Sequence, residues 1–121
     1  MLKNATGDAK YGAAREDLFK WLMKHAADRT SGAFKRGKGD ATIATDTFSW
    51  SIAAIGPARL SESKFDPEGI MEFAEAQCRV EVDFERPDGR TVKVTGFDFA
   101  KPQNQGRGGV VSAEWTAQAV V

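Results

Sequence analysis

Cysteine and histidine, the side chains that most often bind metals or act as catalytic nucleophiles and bases, are almost absent from this sequence. The chain of 121 residues contains one of each, Cys78 and His25. A single cysteine excludes an intramolecular disulfide and is typical of a protein made in a reducing compartment. A lone histidine cannot build a His-rich metal centre, so we expect His25 to lie partly buried on a helix. We expect no metal, no cofactor and no catalytic residue.

Long apolar runs and an excess of charge are also missing. No stretch approaches the ~18–20 apolar residues of a membrane-spanning helix, and residues 1–10 lack the apolar core of a secretory signal. We therefore expect a soluble protein of the cytoplasm with no membrane partner. The chain has 17 basic and 17 acidic side chains, so its net charge predicts no nucleic-acid partner.

The charges are nevertheless distributed unevenly along the chain. Residues 1–40 carry nine Lys or Arg against five Asp or Glu, whereas residues 41–100 carry six against eleven. A molecule with opposite charge at its two ends can stack head to tail with its own copies, and an ordinary mottled surface is the alternative interpretation.

The clearest pattern lies between Arg79 and Ala100 and predicts a β-hairpin. Apolar and polar residues alternate on both sides of a Pro-Asp-Gly turn, which is a strong hairpin signal. Pairing Glu85 with Thr91 gives one apolar and one charged face, and Gly96 suggests a bulge where the alternation changes parity. The apolar face, expected in the core, consists of Val80, Val82, Phe84, Val92 and Val94. The opposite face carries an acidic stripe of Glu81, Asp83 and Glu85.

Two segments have the pattern of helices. Apolar residues recur at helical spacing from Tyr11 to Asp28, after a polar segment, residues 1–10, that we expect to be a flexible arm. The second helix begins with Asp66 as N-cap and Pro67 at the first helical position, and runs through Gln77.

Two further segments alternate with a period of two and predict strands, at residues 41–55 and 110–120. Their expected core residues are Phe48, Trp50, Ile52 and Trp115. Residues 11–121 are therefore expected to form a single domain of the α+β class, mainly antiparallel β. We expect a small β-sandwich or barrel with one or two flanking helices.

A glycine-rich basic loop separates the first helix from the first long predicted strand. Its residues Lys35, Arg36, Gly37, Lys38 and Gly39 do not have the spacing of a phosphate-binding loop, and we interpret them as a candidate docking loop between subunits. An alternative uses these charges with Phe34, Phe48 and Trp50 to bind a single-stranded nucleic acid, although the aromatic residues alternate as a core face does.

Catalysis has weaker support. Carboxylates alternating on one strand lie roughly 6.5–7 Å apart, a separation that acid–base pairs can use. On an open face opposite Lys93, however, such residues more often form a solvated stripe. Cys78 has no partner at a readable spacing and is expected to be a small buried thiol, so we expect no enzyme.

The order of these segments resembles that of tail tube proteins of long-tailed bacteriophages. The resemblance spans about residues 40–121 and lies in DATIATDTFSWSI, FDPEGIMEFAEAQ, CRVEVDFERPDGRTVKVTGFDFAKPQ and GGVVSAEWTAQAVV. Residues 1–40 differ, because family members usually open with strands, and this leaves open a tail terminator or another ring-forming tail component.

The resemblance implies a virion protein of the tail, assembled in the host cytoplasm. Its copies would form rings, six to a ring in this family, that stack into a hollow tube and contact other tail proteins. The genome DNA would pass through without specific binding. Glu81, Asp83 and Glu85 would then line the lumen and repel DNA phosphates.

Overall fold

The computed structural model describes residues 2–120, which form six helices and four short strands. The helices are α1 (Leu2–Thr6), α2 (Ala9–His25), α3 (Thr45–Ile55), α4 (Pro57–Glu62), α5 (Pro67–Cys78) and α6 (Ala113–Ala119), with a 3-10 turn at Pro102–Asn104. The strands are β1 (Ala27–Asp28), β2 (Ala33–Phe34), β3 (Arg79–Glu85) and β4 (Thr91–Phe97). Two antiparallel sheets result, β1 with β2 and β3 with β4. No helix in this part of the chain is long and apolar enough to cross a membrane.

The hydrophobic core lies between helices rather than between sheets. Helices α3, α4 and α5 contribute Phe48, Leu60 and Ile70 to this core, each at most 1 % exposed. Strand β2 adds Phe34, whose ring lies 4.8 Å from that of Phe65 between centroids. The β3–β4 hairpin contributes one buried hydrophobic side chain, Val80, so it lies at the periphery of the core.

The two predicted helices are confirmed as α2 and α5. The Asp66 carboxylate accepts a hydrogen bond from the Glu68 backbone N–H at 3.1 Å, and Pro67 opens α5. Helix α2 is held to α4 by Arg59, whose guanidinium forms two hydrogen bonds with Glu16 at 2.8 and 2.6 Å. The same guanidinium lies 3.8 Å from the centre of the Phe19 ring.

The predicted strand over residues 41–55 is wrong, because residues 45–55 are helix α3. Phe48, Ile52 and Ile55 recur at helical spacing and turn toward the core together, which period-two alternation of the same residues concealed. The hydroxyl of Ser51 donates to the Phe48 carbonyl at 2.8 Å, so a residue typical of turns is satisfied within the helix. Trp50 falls on the outer side and is 58 % exposed, outside the core where it was expected.

The predicted strand over residues 110–120 is also wrong, because most of it is helix α6. The segment is rich in alanine, the best helix former, and Ser112 caps it by accepting from the Trp115 backbone N–H at 3.5 Å. Trp115 is half-buried, with its ring 5.4 Å from that of Phe99.

The fold class is therefore a mixture of helix and strand, with 50 % helix and 20 % strand. Helix outweighs strand because two segments expected in the sheet are helical. Residues 2–120 show no closed barrel, and the sandwich or barrel stays a prediction. Residues 1–10, expected as an arm, contain α1 and the start of α2, and the predicted domain end at Val121 lies outside the described residues.

Candidate functional site

The β3–β4 hairpin has the register that the sequence predicts. Glu85 pairs with Thr91, Phe84 with Val92, and the alternation continues to the base. Gly89 has φ +78°, a conformation that favours glycine in the turn. From Asp83 to Thr91 every residue is exposed, so this half of the hairpin projects from the body.

The bulge predicted at Gly96 is wrong, because Gly96 pairs regularly with Val80. A Cβ at Gly96 would lie 2.6 Å from the Thr116 hydroxyl oxygen and 2.7 Å from a Val111 methyl carbon. Glycine is required here by the close approach of helix α6 and the segment before it. The Thr116 hydroxyl also accepts a hydrogen bond from the Phe97 backbone N–H at 2.9 Å, which fixes the base of β4 to α6.

The apolar face of the hairpin is covered only at its base. Val80 is buried, while Val82, Val92 and Val94 are half-buried and Phe84 is 53 % exposed. Phe84 was expected in the core but is exposed, and α6 packs instead near the Gly96 end of the hairpin. A strip of apolar side chains therefore faces solvent on the projecting half.

The acidic stripe occupies the opposite face, as its alternation predicts. The Lys93 ammonium lies 2.7 Å from a Glu81 oxygen and 3.8 Å from an Asp83 oxygen. The hydrogen bond from Lys93 lowers the pKa of Glu81, and the same contact raises the pKa of Lys93. Glu85 makes no ion pair within the described residues, so three carboxylates face one ammonium group and the stripe keeps a negative charge.

The basic loop follows β2 in the chain. Lys35 lies 3.9 Å from Asp28, and Arg36 lies 3.8 Å from Asp40, both long for ion pairs. Lys38 has no acidic partner in residues 2–120, and Gly37 and Gly39 complete the loop. The pKa values of Asp28 and Asp40 are lowered first by backbone N–H groups, those of Thr30 and Thr42 respectively, and less by the basic residues. The charges of the loop are thus only loosely engaged.

A groove of about 390 Å³ lies between this loop and helices α2 and α3. Its apolar lining comes from Leu22, Phe34, Ala54 and Ile55, and the exposed Trp50 forms one side. Lys35 and Arg36 stand at its rim together with Asp46. We call this feature the Trp50 groove. It brings together the predicted docking loop and Trp50, which the sequence placed in the core.

The most connected polar residue is Asp98, which the sequence analysis did not single out. Its side chain is 1 % exposed, and its two oxygens accept hydrogen bonds from Arg107 at 2.9 and 3.0 Å. The backbone N–H groups of Val110 and Phe99 add bonds of 2.9 and 2.6 Å. The Thr45 hydroxyl donates to the Asp98 carbonyl at 2.5 Å, which ties α3 to the root of the hairpin.

Burial acts to raise the pKa of Asp98, but the hydrogen bonds from Arg107 and from the backbone outweigh it and leave the pKa below its ordinary value. Asp98 thus stays ionised in the fold and anchors the segment that follows β4. The sequence signal that could have revealed this buried carboxylate is its position between Phe97 and Phe99, because a charged residue inside an apolar run is usually buried only with a partner.

His25 and Cys78, which were expected to lack catalytic partners, lie at the ends of different helices, α2 and α5. The imidazole of His25 lies against the Trp21 ring, 5.1 Å between centroids. Cys78 is buried, burial raises the pKa of its thiol, and the thiol lies 3.8 Å from the Ile43 carbonyl oxygen. Within residues 2–120 no group of three or more His, Cys, Asp or Glu side chains is arranged to hold a metal ion.

Comparisons with protein-family models, curated proteins and solved structures find no match to the chain. The function is therefore argued from the geometry of these surfaces and from the resemblance in the sequence.

Proposed function

We propose that this chain is a structural protein of a bacteriophage tail whose copies assemble into rings. The rings, hexameric by analogy with the family it resembles, would stack into a hollow tube that conducts DNA. A tail terminator or another ring-forming tail component is the alternative within the same class. In either role the protein belongs to the virion, is assembled in the host cytoplasm, contacts other tail proteins and performs no catalysis.

The projecting hairpin is the observation that carries the proposal. Phe84 and the half-buried valines leave an apolar strip uncovered, and within the described residues no strand pairs with the outer edge of β3. A free edge beside an apolar face invites association in a monomer. In a ring, neighbouring copies would cover both the free edge of β3 and the apolar strip.

The finer features of the fold follow from the same idea. The sandwich or barrel expected from the sequence would be completed by strands from neighbouring copies. The face with Glu81, Asp83 and Glu85 would then line the lumen. Because Lys93 offsets only part of that charge, the lumen would repel phosphates and let DNA pass without specific binding.

Sedimentation velocity and negative-stain electron microscopy of the purified chain test the proposal. We expect concentration-dependent assembly, with closed rings or short stacks on the grid. A strictly monomeric species over a wide range of protein and salt concentration would contradict it.

Binding of single-stranded nucleic acid is the second candidate, and the exposure of Trp50 beside Lys35 and Arg36 favours it. Titration with an oligonucleotide would quench Trp50 fluorescence if this function is correct. A Trp50→Phe variant is the control, because Trp21 and Trp115 also emit. Zero net charge argues for the structural role.

A further inference from the structure

We infer that helix α2 pairs antiparallel with α2 of a second copy of this chain, with Leu18 of each copy packed against Trp21 of the other. The contact goes beyond the proposed function, because it uses α2 and leaves the projecting hairpin free. It joins copies two at a time, as an assembly separate from a ring.

One side of α2 carries a mainly apolar stripe that is exposed at its centre. The stripe consists of Tyr11, Ala14, Leu18, Trp21 and His25. Leu18 is 65 % exposed and Trp21 is 45 % exposed. The Trp21 ring lies 5.1 Å from the His25 imidazole between centroids, so these two side chains are on the same side of the helix. We call this feature the α2 stripe.

The spacing of the α2 stripe is that of a seam between two helices. Its members are three, four, three and four residues apart, which is the a and d pattern of a coiled coil. The helix is already formed over 17 residues, so a partner does not have to order it on binding. A second copy of α2 has the same length and the same stripe, and it matches the first along the whole seam.

The α2 stripe adjoins the Trp50 groove, which enlarges the apolar surface open to a partner. Leu22 lines that groove and lies one helical turn after Leu18. Trp50 forms one side of the groove and is 58 % exposed. Three of the six large exposed hydrophobic side chains of the described residues therefore lie on adjoining surfaces, namely Leu18, Trp21 and Trp50. A concentration of exposed apolar side chains of this kind marks an interaction site.

Charges beside the seam favour the antiparallel orientation. In the heptad that places Leu18 at a and Trp21 at d, the g positions are Lys10, Asp17 and Lys24, all of them exposed. In an antiparallel pair the g residues of the two helices face each other and set the orientation. Packing Leu18 against Trp21 of the other copy brings Asp17 of each copy beside Lys24 of the other. Two attractive pairs result, related by the two-fold axis.

Competing arrangements of the same two stripes bring like charges together. Shifting one antiparallel helix by a heptad places Asp17 beside Asp17 of the other copy, and the opposite shift places Lys24 beside Lys24. A parallel pair in register places Lys10 beside Arg15. Like charges in contact disfavour these alternatives. Of the four arrangements, the antiparallel pair centred between Leu18 and Trp21 is the one that gives opposite charges.

The two-fold symmetry limits the assembly to a dimer. Each α2 stripe covers the other, and none remains free after pairing. A contact along one helix of 17 residues is small beside the ~1,600 Å² of a standard interface. We therefore expect a weak dimer that forms at high protein concentration.

Charge exchange between residues 17 and 24 tests the orientation and the register together, with sedimentation equilibrium as the measurement. Asp17→Lys or Lys24→Asp alone replaces both attractive pairs with like charges, and each is expected to weaken dimerisation about tenfold. The double variant Asp17→Lys/Lys24→Asp restores opposite charges and should dimerise as the unsubstituted chain does. Arg86→Asp, the same kind of charge change on the exposed hairpin turn, is the control and should have no effect. Failure of the double variant to recover would overturn the inference.

Shortening a seam side chain gives a second measurement that does not involve charge. Leu18→Ala should weaken dimerisation at least tenfold, because an apolar contact at the centre of the seam is lost. Val110→Ala is the matched control, since it shortens another exposed apolar side chain outside α2. Both positions are exposed, and circular dichroism checks that both variants keep the fold. Equal dimerisation of the two variants would contradict the inference.

The same measurements on a Phe84→Ser background separate this inference from the proposed function, because Phe84 belongs to the hairpin. Dimers on this background support the inference whether or not the unsubstituted chain forms rings. A strict monomer on this background overturns the inference, and rings of the unsubstituted chain would then leave the proposed function standing. Binding of that monomer to vesicles of phosphatidylcholine and phosphatidylserine, lost in Leu18→Ala, would assign the α2 stripe to a membrane surface and also overturn the inference.

Discussion

Replacing Asp98 by asparagine tests the anchor that holds the root of the hairpin. The carboxylate accepts four hydrogen bonds in a nearly solvent-free position. Asn is almost the same size, so the fold is not required to repack. One oxygen becomes an NH₂ group, however, and this donor then faces the N–H donors of Arg107 or Val110.

The expected cost is about 2–4 kcal/mol of unfolding free energy at neutral pH. A hydrogen bond to a charged group contributes ~1.5–3 kcal/mol, and an unsatisfied buried donor costs ~1–3 kcal/mol. The Arg107 side chain is about half exposed. Solvent screening therefore places the contribution of the Asp98–Arg107 ion pair near the low end of the range for a hydrogen bond to a charged group. Domains of this size have total stabilities of ~5–15 kcal/mol, so the loss is large but does not forbid folding.

The pH dependence gives the sharper readout. Because the folded pKa of Asp98 lies below its unfolded value, its contribution is present above about pH 4 and is lost as the pH falls through the folded pKa. Urea unfolding of both proteins should therefore show a stability difference that is largest near pH 6–7 and shrinks toward pH 3.

Asp83→Asn is the matched control, because it makes the same chemical change on the exposed stripe. We expect no measurable shift of its unfolding midpoint. If Asp98→Asn is as stable as the unsubstituted chain, or if their difference does not change with pH, the buried pair does not hold the fold as argued.

Two further predictions concern the core and the hairpin base. Phe48→Ala should cost about 3–5 kcal/mol in urea unfolding, whereas Trp50→Ala should cost under about 1 kcal/mol in the monomer, and equal losses would contradict the placement of α3. Gly96→Ala should destabilise by about 1–3 kcal/mol, because its Cβ would meet Thr116, while Gly106→Ala, with open space around it, should change little; equal midpoints would refute the close approach.

Local chemistry made the hairpin and α5 predictable. In the hairpin, the alternation and the Pro-Asp-Gly turn specify the same register, and a slip by one residue would place the apolar side chains of the two strands on opposite faces. In α5, Asp66 and Pro67 mark the start independently of the apolar pattern. Where two local signals agree, the sequence leaves little choice.

Residues 45–55 show why the rest of the fold was not predictable. Phe48 and Ile52 lie on one face in a strand and also on one face in a helix, so their spacing does not distinguish a strand from a helix. The outcome depends on Ile55 finding the same core, which is a tertiary contact. In the candidate site, the partnership of Asp98 with Arg107 is equally invisible, because it joins a strand end to a loop whose course the sequence does not specify.

The helical core and the anchored root together explain how a small chain can keep an apolar hairpin in solvent. Because Phe48, Leu60 and Ile70 pack without the hairpin tip, surface substitutions at the tip need not unfold the protein. Asp98 meanwhile fixes where the hairpin leaves the body, which reduces the ordering that a partner would otherwise impose on binding. A change at Phe84 should therefore alter association alone, whereas a change at Asp98 should weaken both stability and association. These two substitutions separate a hairpin built for contact from one that is merely exposed.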